Sequence, residues 1–96
     1  MKLVSVGPSE VPDKKFKAVF QDDHGRRRTT HFGAAGMDDY LHTKDKAQRD
    51  RYRTRHAKDL LTEDPTRAGF LSWYLLWGNS TSFEKNLKAY KRKFSL

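Results

Sequence analysis

The side chains best suited to holding a charged partner in this sequence are arginines and lysines, and they come in clusters. Arg26-Arg27-Arg28 form a triplet, Arg51, Arg53 and Arg55 fall at every second position, and Lys88, Lys91, Arg92 and Lys93 crowd a short stretch. The formal net charge is +8 over 96 residues, and it is unevenly spread. Residues 1–25 carry four basic and four acidic groups, and residues 26–56 carry nine basic and four acidic. Residues 57–84 are slightly acidic, and residues 85–93 hold five basic groups and no acidic one. Two positive blocks therefore flank a nearly neutral, apolar stretch. Charge concentrated in this way does nothing for a fold and costs self-repulsion, so it bears on partners. Nucleic acid is the commonest polyanion in a cell. Phosphate contacts, with DNA as the expected polymer, are the leading reading. The alternative is a structural or adaptor protein whose basic face docks on an acidic protein. The plainest reading of all is a solvated, solubilising lysine surface.

Histidine and aspartate are the other groups with catalytic potential. Asp38, Asp39 and Asp45 would hold a divalent cation in a metal-dependent nuclease, with His31, His42 or His56 as general base. The spacing argues against it. No two of the four histidines stand at a His-x₃-His interval. Asp38 and Asp39 are adjacent, so in an extended segment they point apart. A structural role suits them better: Asp39 and Asp45 are expected to pair with Arg49 and Arg55, and His31 to bond near Asp38-Asp39. No enzyme activity, metal or cofactor is expected. There is no cysteine, which excludes disulfides and cysteine nucleophiles and fits an intracellular setting. No apolar run approaches a membrane span, and the apolar stretch after Met1 is too short for a signal peptide.

The elements that must position these groups can be read from pattern and punctuation. Leu3–Val6 reads as a short strand, and Phe16, Ala18 and Phe20 alternate with polar neighbours as a second. Asp22-Asp23-His24-Gly25 is a hairpin turn with Gly25 at positive φ, and Arg27–Phe32 is the return strand. Gly33-Ala34-Ala35-Gly36 reads as a packed turn leaving the sheet, because no Lys-Ser/Thr follows at phosphate-loop spacing. A first helix is expected from Thr43 as N-cap to about Ala57, anchored by Tyr52. A second should open at Asp64-Pro65 and run to Trp77, stopping at Gly78. A third should follow a Thr81/Glu84 capping box, with Phe83, Leu87, Tyr90 and Phe94 as its buried stripe.

The expected fold is α+β: one domain over residues 1–96, β-rich over 1–36 and helical over 43–96. A small N-terminal antiparallel sheet of two or three strands would precede three α-helices, packed around Phe70, Trp73, Tyr74 and Trp77. The second helix is apolar nearly all round. Surface near Leu71, Leu75 or Trp73 would then stay open, which points to a homodimer.

One further pattern stands out. Thr30-His31-Phe32-Gly33-Ala34-Ala35-Gly36, then Asp39-Tyr40, Lys44-Asp45, Tyr52 and Arg55-His56 keep a specific order and spacing, followed by Leu71-Ser72, Leu76-Trp77 and Tyr90-Lys91 through Phe94. The chain, over residues 15–96, resembles a family of small basic proteins of unknown function encoded by large nucleocytoplasmic DNA viruses and some algae. The family pattern has a basic residue after the Leu-Ser pair, where this chain has Trp73. The resemblance implies a viral origin, packaging in the virion, and residence in the host cytoplasm or nucleus during infection. It implies no catalytic residues. An acidic virion protein is the partner it suggests for the adaptor alternative. The expected nucleic-acid contacts are Arg26, Arg27, Arg28, Arg51, Arg53, Arg55, Lys88, Lys91, Arg92 and Lys93. No helix-turn-helix or zinc-finger reading head accompanies them, so little base specificity is expected.

Overall fold

The structure, a computed structural model, describes residues 1–96. Three strands, β1 (Lys2–Pro8), β2 (Lys14–Gln21) and β3 (Arg27–Ala34), form an antiparallel meander in the order β1-β2-β3. The alternation in β2 sets its register: Phe16 faces Phe32, Ala18 faces Thr30 and Phe20 faces Arg28 across the β2–β3 pair. Ala18, Phe20 and Phe32 are fully buried on one face. A bulge between Leu3 and Ser5 leaves Val4 exposed while Leu3 stays in the core. The β2–β3 turn closes through Gly25 N–H to Asp22 O (3.1 Å), with Gly25 at φ +79°.

Helices cover the buried face of the sheet, so the molecule is α+β as expected, but the helical part is more broken than the pattern suggests. A separate short helix, α1 (Tyr40–Thr43), precedes the expected first helix, which is α2 (Lys46–His56). Asp39 caps α1 by accepting from His42 N–H at 3.0 Å, and Lys44, at φ +56°, ends it. Asp45, not Thr43, caps α2, accepting from Gln48 N–H at 3.1 Å. Thr43 is drawn away because its hydroxyl lies 2.8 Å from the Gln48 side-chain oxygen. A 3₁₀ turn (Ala57–Thr62) follows.

Asp64-Pro65 does not open the next helix. The Asp64 carboxylate takes both the Thr66 N–H (2.9 Å) and hydroxyl (2.6 Å), closing a tight turn, and the Tyr90 hydroxyl donates to Pro65 O. Helix α3 begins only at Ala68 and runs to Leu71, then widens into a π turn over Ser72–Leu76. Trp77 N–H bonds to Ser72 O at 3.1 Å, five residues back. This wider turn sets Leu71, Leu75 and Leu76 against the sheet, all fully buried. Phe70 and Trp77 are buried too, whereas Trp73 and Tyr74 are only half-buried. The core is therefore centred on the leucines and the sheet phenylalanines, not on the four aromatics. The leucine surface that suggested a dimer is closed within one chain.

Helix α4 (Phe83–Lys93) is capped by Ser82, which accepts from Lys85 N–H at 3.3 Å. The cap thus sits one residue beyond Thr81, and the Thr81/Glu84 box does not form. Its stripe packs as expected, with Tyr90 fully buried and Phe83 stacked on Phe16 at 5.2 Å. No helix is long and apolar enough to cross a membrane.

Candidate functional site

Where β3 leaves the sheet, Gly33 lies at φ +79°, and a Cβ there would stand 2.9 Å from Leu76 Cδ1 and 3.3 Å from Lys15 Cβ. The chain then turns, Met37 N–H bonding to Ala34 O (3.2 Å) and Ala35 N–H to Asp13 O (3.0 Å). Two amides of the glycine loop are thus spent on the protein itself, as in a packed turn. Lys15 on β2 reaches across to Asp39 at 2.7 Å, and Asp39 is only 6% exposed. Tyr52 on α2 stacks between His56 (4.1 Å) and Trp77 (4.4 Å, planes 8° apart). Burial, then the charge of Asp59, pushes the Tyr52 hydroxyl up to about 12. Together these groups wall a cleft of about 450 Å³, with Asp38 and Arg55 exposed at its edge.

Gly33 supplies a test of this wall. Gly33→Ala should cost about 2 kcal/mol or more, from the positive φ and the contact with Leu76. Gly36→Ala, at φ +80° but facing open space, should cost only the backbone part, about 1–2 kcal/mol. Denaturant unfolding of both variants measures the difference, and equal losses would contradict the close approach to Leu76.

The acidic and imidazole groups are dispersed. Asp39 serves Lys15 and α1, and Asp45 serves α2, so neither pairs with Arg49 or Arg55. Arg49 instead lies over the Tyr40 ring at 5.0 Å and bonds to Asp50. His31 Nδ1 contacts Ser9 Oγ at 2.8 Å, not the Asp38-Asp39 region, because its side chain leaves the opposite face of β3 from Phe32. His56 Nδ1 contacts Asp59 at 3.1 Å. No three His, Asp or Glu side chains converge in a ligating group.

The ten expected cation contacts divide. Arg26, Arg27 and Arg28 are exposed along the hairpin, with Arg26 near Asp22 (3.7 Å) and Arg27 bonded to Gln21 (3.0 Å). Arg28 shares a shallow hollow with Arg67, which the sequence reading did not single out. Arg51 and Arg55 on α2, and Lys88, Lys91, Arg92 and Lys93 on α4, are exposed. Arg53 is different. Its Nε donates to Trp77 O at 2.8 Å and its Nη2 to Asn79 at 3.1 Å, so it fastens α2 to the end of the π turn. Burial, then the neighbouring Arg49 charge, lowers its pKa. Arg53 nevertheless lines a hollow of about 210 Å³ together with Trp73 and Lys93. One residue from each positive block therefore meets at one place. Composition alone could not reveal this, because Arg53 and Lys93 are brought together only by the packing of α2 and α4 on the π turn.

Residues 4–56 match the Family of unknown function (DUF5754), and the chain belongs to that family. The matched stretch contributes eleven of the fourteen residues lining the larger cleft, while all of α4 lies outside it. No curated protein and no solved structure matches the chain.

Proposed function

We propose that this protein is a non-enzymatic binder of nucleic acid, with DNA the expected polymer, acting through phosphate contacts with little base specificity. The observation that carries the reading is the meeting of Arg53 and Lys93, from separate positive blocks, at one hollow. Elsewhere on α2 and α4, Arg51, Arg55, Lys88, Lys91 and Arg92 are exposed and form no ion pair. An exposed cation without a partner is free to displace a condensed counterion from a phosphate. Two of the five N–H donors of Arg53 are engaged by Trp77 and Asn79, which fixes the guanidinium at the hollow and leaves the others for a phosphate. The family resemblance supports a virus particle or the infected cell as the setting.

The reading is tested by neutralising Lys88, Lys91 and Arg92 to glutamine together. Each lost phosphate contact should flatten the log–log salt dependence of binding by about 0.9, so the triple variant should be shallower by about 2.7. Its melting temperature should hardly change, because all three are exposed. Unchanged affinity and slope would remove α4 from the interface. If the unsubstituted chain fails to bind at low salt, an acidic protein becomes the better partner.

A further inference from the structure

We propose that Trp73 is a stacking platform for an unpaired base, so that the strand this protein prefers is single-stranded. The inference rests on the phosphate-binding reading above and specifies its substrate. Trp73 is set apart by exposure from the leucines and the other tryptophan of this segment. Leu71, Leu75 and Leu76 are sealed in the core, and Trp77 is buried against Tyr52. Trp73 and its neighbour Tyr74, both half-buried on the π turn, leave part of their rings facing one hollow, and of the two Trp73 offers the larger ring. Its indole N–H has no acceptor within the chain and is not sealed from solvent. A buried indole normally finds such an acceptor, and one left at an edge can serve a ligand.

Charge decides what that ligand is. The Arg53 guanidinium lies 5.9 Å from the Trp73 ring centroid, and its bonds to Trp77 and Asn79 hold it in place. Lys93 lines the hollow from α4. An aromatic ring with a fixed guanidinium over it and one further cation, Lys93, at the rim is an arrangement that takes a base and its phosphate together. In a duplex both faces of an interior base are already stacked and cannot reach the indole. The hollow, about 210 Å³, is sized for a single ring system rather than an extended groove.

The test is a tryptophan-fluorescence titration at fixed low salt, using an oligothymidylate and a duplex of equal length. The single strand should bind more tightly and quench the emission, while the duplex binds with little quenching. Trp73→Ala should weaken single-strand binding about 5- to 150-fold, the range expected for one stacked base. Duplex binding should stay unchanged, and Trp73→Phe should retain much of the single-strand preference. Should Trp73→Ala fail to fold, the strand preference and quenching of the unsubstituted protein decide. Equal affinity for both polymers, or a folded Trp73→Ala variant that keeps its single-strand affinity, would overturn the platform and leave phosphate binding standing. Failure to bind either polymer would overturn both.

Discussion

Replacing Asn86 with alanine should destabilise the protein by about 3 kcal/mol, a large share of the 5–15 kcal/mol typical of a domain. Asn86 is 4% exposed, at the junction between the π turn and α4. Its Nδ2 donates to Leu75 O (3.1 Å) and Ser80 O (2.8 Å), and its Oδ1 accepts from Ser80 N–H (3.1 Å). These bonds satisfy backbone groups in a segment that has no regular helix or strand to satisfy them. Alanine would leave up to three polar groups without a partner, each costing about 1–3 kcal/mol where water cannot reach. Gly78 makes the junction tighter still: a Cβ there would stand 2.3 Å from Tyr74 O and 2.9 Å from Asn86 Cγ. For a domain of this size the melting temperature should fall by about 4–8 °C per kcal/mol. A loss below about 1 kcal/mol in thermal or urea unfolding would mean that water replaces the amide, and that the junction is looser than its contacts indicate.

The same junction marks where the sequence stops being informative. The sheet was legible because Phe16, Ala18 and Phe20 alternate and Asp22–Gly25 can do little but turn. The stripe of α4 was legible because Phe83, Leu87, Tyr90 and Phe94 keep a helical period. Helix starts were not. Asp39, Thr43 and Asp45 are all competent caps within seven positions, and the tertiary pull of Lys15 on Asp39 together with the local contact of Thr43 with Gln48 selects among them. Asp64-Pro65 has the chemistry of a helix start, but Thr66 captures the carboxylate first. The π turn has no local signature, so the phase shift that buries Leu71, Leu75 and Leu76 was out of reach. With it went the leucine part of the expected open apolar face, while Trp73 stays half-buried.

The basic blocks were legible as charge, and nine of the ten named positions are exposed, Arg53 being half-buried. Arg53 was not separable from Arg51 and Arg55 by type or spacing. What distinguishes it is a carbonyl 24 residues away, at Trp77. The cleft beside Gly33 was hidden for the same reason, since Lys15, Asp39 and Tyr52 approach one another only across the sheet and helices.

Phosphate contact as the source of binding is tested most directly by titrating duplex DNA at several salt concentrations. Neutralising about five phosphates gives a log–log slope of about −4.5, so affinity should fall roughly 500-fold between 50 and 200 mM salt. Scrambling the base sequence should change it little, because phosphate contacts carry no sequence information. A slope of that size with no sequence dependence is the result predicted here. A flat response to salt, or no binding at 50 mM, would contradict it.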